Sequence, residues 1–197
     1  MSQPIIQLTS PPIGQGRERT CYLHPEDDSR LIKITTGGND VQTRREIDFY
    51  TRLRSRNDFP YTHIPEYHGL VQTSLGTGVV VDLVRDFDGE ISRSMHWYLS
   101  EGTPLHDFEP MLEELKHYLL EHRVIFNHDL VPGNLLLQKY VADASRLVVI
   151  DGLGDVVSIA WLNRFPSHVR SKINRRWERL LTRFYNNEHV IAQQQKR

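Results

Sequence analysis

The sequence predicts an α+β fold, with an antiparallel sheet in the N-terminal part and a reduced helical C-terminal part. Three observations carry that prediction. Short apolar runs alternate with turn residues through the first third of the chain. Apolar residues then recur at helical spacing in two longer stretches, 110–123 and 167–186. Between those stretches lie two more short apolar runs, spaced as a hairpin.

Taken in order, "PIIQL", "IGQGRERTCYL" and "RLIKI" read as three antiparallel strands, joined by turns at Gly14–Gly16 and at "HPEDDS". A helix is expected from Val41 to Arg56, where Glu46, Tyr50 and Leu53 fall on one face beside Ile47. A carboxylate on that face needs a cation, because an unpaired buried charge is costly. "YHGLVQT" and "GVVVDLV" make two further strands around "SLGTG". Beyond Asp86 the pattern turns helical. "PMLEELKHYLLEHR" aligns Met111, Leu112, Leu115, Tyr118 and Leu119, with Pro110 suited to the first turn. "NLLLQKY" and "RLVVI" are short strands, and a last helix from Ser167 to Asn186 gathers Val169, Ile173, Trp177, Leu180, Leu181 and Phe184. The expected division is 1–86, a sheet with one helix, and 87–197, the helical part.

The chain has 197 residues, 39% of them hydrophobic, enough for one domain or two small units with a sizeable core. With 24 Lys and Arg against 25 Asp and Glu, no whole-molecule field draws it to nucleic acid or a membrane. No apolar run approaches the roughly 20 residues of a spanning helix. The single cysteine, Cys21, cannot form an internal disulfide, and the N-terminus lacks the pattern of a secretory signal, so a cytoplasmic protein is expected. The histidines show no spacing typical of a transition-metal site.

The chemistry gathers at a few polar positions. In "VIFNHDLVPGNLLL", Asp129 and Asn134 are held between two apolar runs. Asp151 ends the following strand, and a hairpin of the two strands brings Asn134 and Asp151 together. Two oxygen ligands there suit a hard cation that takes the rest of its shell from water and phosphates, as magnesium does with a nucleotide. Asp129, a few residues before, is placed to accept a proton from an attacking hydroxyl. In the sheet, Gly14 and Gly16 let backbone N–H groups approach phosphate oxygens. Lys33 is a cation in an apolar strand, for which Glu46 and nucleotide phosphates are the candidate anions. Each feature also has a plainer use: a hairpin turn for the glycines, a solvent-facing edge charge for Lys33, loop bracing for Asp129 and Asn134, and an ordinary turn for Asp151. Their conjunction in one order is what speaks against all the plainer uses together.

That order resembles a protein-kinase-like bilobal fold. "IGQGRERTC" resembles the glycine-rich loop, "LIKI" the lysine strand, Glu46 the helix glutamate, "NHDLVPGN" the catalytic loop and "DGLG" the metal-binding turn. More narrowly, "GQGRERTCYLHPED" and "GTGVVVDLVRDFDG" are similar to the PhoP regulatory network protein YrbL family of bacterial proteins, over roughly Ile13 to Phe184. The resemblance implies ATP and magnesium as cofactors and a phosphotransferase acting on a non-protein or unidentified acceptor. The alternative is a non-catalytic regulatory or binding module. Asp129 would be the base and Asn134 and Asp151 the metal ligands. Gly14, Gln15, Gly16 and Arg17 would form the phosphate loop, with Lys33 on the phosphates and Glu46 orienting it. Asp82, Leu83 and Val84 would read the adenine edge. Cys21 falls where a kinase valine covers the base, although a small buried apolar residue is its plainer reading.

The sequence also departs from the kinase pattern. Arg19 stands where a third loop glycine would fall, Val131 replaces a lysine, and Asn127-His128 replaces His-Arg. After Asp151 only 46 residues remain, with no Ala-Pro-Glu segment, which argues against a folded protein bound as substrate in the usual groove. Arg164, Arg170, Lys172, Arg175, Arg176, Arg179 and Arg183 face a single acid, Glu178, along the last helix. Such a run is ordinarily a solvated face; an anionic partner is the alternative.

Overall fold

A computed structural model describes residues 4–16, 18–36, 41–56, 58–127, 130–155 and 164–194, the side chains of Gln42 and of 187–194 excepted. The chain forms two compact units, Met1–Val84 and Arg85–Arg197.

The first unit is a five-stranded antiparallel sheet and a helix: β1 (Gly14–Gln15), β2 (Arg19–His24), β3 (Asp27–Thr35), α1 (Val41–Arg54), β4 (Tyr67–Thr73) and β5 (Gly76–Asp82), with strand order β1-β2-β3-β5-β4. Two expectations need correction. Gly14 does not sit in a turn; it pairs with Cys21, and the turn follows it, closed by the Gly16 N–H donating to the Arg19 carbonyl at 2.8 Å. "PIIQL" is not an antiparallel strand, because Ile6 makes only an isolated parallel bridge to Thr73. That bridge seats the segment on one face of the sheet, where Ile6 and Leu8 cover Ile32, Ile34 and Val80. Gly78 is required there, since a Cβ would lie 2.3 Å from Ile32 Cγ2.

Side chains alternate across a strand, so Cys21, Lys33 and Val79, which are register partners, project to the opposite face. α1 supplies that face with buried Glu46, Phe49, Tyr50 and Leu53 at helical spacing. Tyr50 stacks on Tyr67 with ring centroids 5.5 Å apart. Burial pushes the Tyr67 hydroxyl above the usual phenol range.

The second unit contains β6 (Arg93–Ser94), α2 (Met95–Ser100), a 3₁₀ turn at Leu105–Phe108, α3 (Glu109–Glu121), a 3₁₀ turn at Pro132–Asn134, β7 (Leu135–Val141), β8 (Ala144–Val149) and α4 (Pro166–Gln194). The strands β6, β7 and β8 form a small antiparallel sheet in that order. Ser94 caps α2 by accepting from the Trp97 N–H at 3.2 Å. α3 lies against β8 and α4. Along α4, Val169, Ile173, Trp177, Leu180 and Phe184 are buried, and Trp177 meets Phe126 edge-on. Each such side chain contributes about 1.5–3 kcal/mol on burial. No described helix is long and apolar enough to cross a membrane.

Candidate active site

In the first unit, the register Gly14↔Cys21↔Lys33 sets the glycine strand two strands from the lysine. Lys33 Nζ is 2.7 Å from Glu46 Oε1, and both residues are buried, at 6% and 3% exposure. The pair has a third member that sequence reasoning missed. Arg19, two residues from Cys21 and therefore on the same face, is also buried and pairs with the other Glu46 oxygen, Oε2. The position read as a missing glycine thus carries a second cation into the site, and one carboxylate faces two positive charges. The available signal was the alternation of β2, which puts Arg19 and Cys21 on one face.

The glycines are not demanded by the chain's own packing. A Cβ on Gly14 would find Cys21 Cβ at 4.0 Å, and one on Gly16 would find the Arg19 carbonyl oxygen at 3.5 Å, both ordinary contacts. Neither has a positive φ. Gln15 is exposed, and Arg17 lies outside the described residues.

At the end of β5, the Asp82 N–H donates to the Glu66 carbonyl at 3.0 Å and the Leu83 N–H to the Ser29 carbonyl at 2.8 Å. The Asp82 carboxylate is held by His68 Nε2 at 2.5 Å and by the Glu66 N–H at 3.1 Å. Two of the three expected base-edge positions therefore have their donors engaged within the unit. Val84 N–H has no hydrogen bond among the described residues.

In the second unit, the β7–β8 hairpin pairs Leu135 with Val149, and the Ile150 N–H donates to the Asn134 carbonyl at 3.0 Å. Asn134 therefore stands beside the residue preceding Asp151. The Asp151 carboxylate accepts from the Gly152 N–H at 2.6 Å. Gly152 has φ +77°, a conformation that favours glycine, and a Cβ there would press on the Asn127 side-chain oxygen at 3.2 Å. The Asn127 N–H donates to the Gly152 carbonyl at 2.7 Å, the Gly154 N–H to the Ile125 carbonyl at 2.8 Å, and Phe126 bridges Leu153. The segment before the catalytic-loop motif is thereby bound to the turn after β8. Asp129 and His128 lie outside the described residues; Leu130, next in the chain, is fully buried. Val131 is 42% exposed.

The basic run on α4 is not uniformly solvated. Lys172 and Arg176 are buried, as is Asp155, and both pair with it: Arg176 Nη2 lies 2.9 Å from Asp155 Oδ1, and Lys172 meets Oδ2. Arg176 also donates through Nη1 to the Phe126 carbonyl. Among the described residues no three His, Cys, Asp or Glu side chains gather as a metal site, so the amide and carboxylate of Asn134 and Asp151 are the donor set to weigh.

A family model for PhoP regulatory network protein YrbL matches residues 6–185. Two bacterial relatives, each called "Uncharacterized protein YrbL", come from Escherichia coli (strain K12) and Shigella flexneri. Each is 34% identical over 176 residues, 86% of this chain and 83% of the relative. Among solved structures, the Mycobacterium tuberculosis PknI kinase domain aligns with a TM-score of 0.50 at 14% identity, over 72% of this chain. The likeness is one of fold: the chain has a protein-kinase-like α+β architecture and spans 57% of that kinase domain.

Proposed function

The chain belongs to the PhoP regulatory network protein YrbL family, and from that premise we propose that it binds ATP with magnesium and transfers the γ-phosphoryl group to a hydroxyl of a non-protein acceptor. The observation that carries this reading is the buried Lys33–Glu46 contact at 2.7 Å on the strand next to a glycine hairpin that has no packing need for glycine. Arg19 raises the positive charge of that site, which suits a polyphosphate.

The residues present fit the cofactor. Lys33 and Arg19 supply cationic donors, Glu46 fixes their positions, and the Gly14–Gly16 backbone leaves room for phosphate oxygens. Val84 N–H is the donor left for the base edge. Asn134 and Asp151 offer one amide and one carboxylate oxygen, a small set of the kind magnesium takes when water and phosphates complete its shell. Bound magnesium would neutralise charge developing on the phosphates. The acceptor hydroxyl oxygen bonds to the γ-phosphorus, the bond to the β-phosphate oxygen breaks, ADP departs, and Asp129 takes the hydroxyl proton.

The test is a thermal-shift series with ATP, magnesium and both. A ligand at a hundredfold excess over its dissociation constant stabilises the folded state by about 2.7 kcal/mol. ATP with magnesium should raise the melting temperature more than either alone; no shift in any condition overturns the reading.

A second reading, a non-catalytic nucleotide-binding module, is favoured by Val131, exposed and apolar where kinases place a lysine on the transferred phosphate. Asp129→Asn separates the two. Loss of a general base costs about 10²- to 10⁴-fold in rate, so ATP turnover should fall by at least the lower factor while ATP binding persists. Equal turnover by the two proteins makes the module the correct reading.

A further inference from the structure

Lys172, Arg176, Arg179 and Arg183 recur at helical spacing and form one stripe along α4. Its first two members are spent on Asp155 and on the Phe126 carbonyl. At its other end, Arg183 Nη2 reaches the carbonyl of Leu130, the residue after Asp129, at 3.5 Å. The stripe therefore runs alongside the two ends of the catalytic-loop segment. Arg179 lies between them, exposed, with no hydrogen bond or ion pair among the described residues. Arg176 Nε is buried there with no hydrogen-bond partner among the described residues. A groove of about 600 Å³ opens at this place, lined by Arg176, Glu178, Arg179, Thr182 and Arg183. That size is in the range of small-molecule sites.

We propose that this groove is an oxyanion site that anchors the acceptor, which is therefore a small molecule bearing a phosphate or carboxylate group besides its reactive hydroxyl. The inference rests on the phosphotransferase reading for the word acceptor, but the anion site stands on its own geometry. With Arg176 committed to Asp155, the guanidiniums of Arg179 and Arg183 still outnumber the one lining carboxylate, Glu178, and leave the lining positive. Guanidinium forks match the paired oxygens of phosphate and carboxylate, and Thr182 adds a hydroxyl donor. Arg183, a lining residue, also reaches the carbonyl of Leu130, and Leu130 adjoins Asp129 in the sequence, so the groove is tied to the chain that carries the proposed base. A solvated helix face would also place arginines outward. It would not set them in a concave groove beside a buried arginine with an unmet donor.

The test uses the full-length protein without nucleotide. Inorganic phosphate, a sugar phosphate and citrate are titrated at constant ionic strength, with chloride as the control and binding followed by calorimetry. Wild type should bind phosphate or the sugar phosphate, or citrate if the natural anion is a carboxylate. Arg179→Gln and Arg183→Gln, both exposed positions, should each weaken binding about ten- to a hundredfold, the loss expected for one charge-assisted hydrogen bond. Lys33→Met should retain anion binding in this titration while its ATP affinity falls about ten- to a hundredfold. That separates failure of the groove from failure of the nucleotide reading. Equal affinities in wild type and both arginine variants overturn the proposal, as does binding only to phosphatidylglycerol vesicles, which would make the stripe a membrane-facing surface.

Discussion

Glu46 in the first unit and Asp155 in the second meet the same physical demand with different consequences. Each is a buried carboxylate held by two buried cations, Arg19 and Lys33 in one case and Lys172 and Arg176 in the other. Around Asp155 the cations come from one helix, and Arg176 also grips the Phe126 carbonyl. The cluster ties the turn after β8, the segment before Asp129 and α4 into one piece. Around Glu46 the cations come from two neighbouring strands and the carboxylate from a helix, and the cluster lies on the sheet row that leads to Gly14. The first arrangement is a brace. The second sets two cations on one carboxylate beside a glycine hairpin, and under the proposed function a phosphate joins them there. A buried ion cluster becomes a ligand site when its surroundings leave a path for another anion.

The largest effect expected from this comparison is on stability. Asp155→Asn leaves two buried cations without their carboxylate, and breaking a buried pair in this way costs about 3–5 kcal/mol. Nucleotide should stabilise this variant by no more than it stabilises wild type, so the deficit stays in place. Glu46→Gln makes a similar change in the first unit, but there ATP with magnesium supplies the missing negative charge, so its gain on adding them should exceed that of wild type. Urea denaturation followed by circular dichroism, with and without ATP and magnesium, reads both. A gain above wild type's in the Asp155 variant, or none above it in the Glu46 variant, would erase the distinction between brace and ligand site.

Lys33→Met has a smaller effect, divided differently. Arg19 still holds Glu46, so the carboxylate is not abandoned and the stability change should stay near about 1 kcal/mol, the centre of ordinary substitutions. Affinity for ATP should fall about ten- to a hundredfold, the value of one charge-assisted hydrogen bond. Calorimetric titration and a melting curve on the same preparation give both numbers. A large stability loss with unchanged affinity would turn the Glu46 cluster into a second brace.

The two clusters were unequally legible in the sequence. Glu46 stood out because its helical phase matched Tyr50 and Leu53 while its charge contradicted their apolar face. Lys172 and Arg176 have the same property, in phase with Val169, Ile173 and Leu180, yet a run of seven basic residues, six of them in the helix, reads as a solvated face. The phase was the better guide than the composition. Arg19 was hidden for another reason: its partner lies 27 residues away on a different element, and alternation names a face without naming what covers it. The β7–β8 hairpin and the long helices were legible because periodicity over many residues is hard to mistake. β6, α2 and the 3₁₀ turn at Leu105–Phe108 are too short for any period to emerge; β6 and α2 are fixed instead by pairing with β7 and by the Ser94 cap, and the turn by burial of Leu105 and Phe108. "PIIQL" misled because an apolar run that packs on a sheet face reads like one that joins its edge.

The smallest expected change tests whether the glycine hairpin belongs to the ligand site or only to the fold. At Gly16 an added Cβ meets nothing closer than the Arg19 carbonyl oxygen at 3.5 Å, and the backbone is not in the left-handed region. Gly16→Ala should therefore shift stability by no more than about 0.4–1 kcal/mol, and toward greater stability, because alanine narrows the unfolded ensemble. Gly78→Ala is the contrasting control: its Cβ would sit 2.3 Å from Ile32 Cγ2, and overpacking of that sort costs about 1–3 kcal/mol. The two should separate again on titration with ATP and magnesium. Gly16→Ala should weaken binding although it leaves the fold intact, because the methyl group occupies space that a phosphate oxygen needs. Gly78→Ala should leave affinity unchanged in whatever fraction remains folded, since it faces the side of the sheet away from Lys33. Undiminished ATP affinity in the Gly16 variant would return that glycine to the role of a turn residue and leave Lys33 and Arg19 to hold the phosphates without the loop.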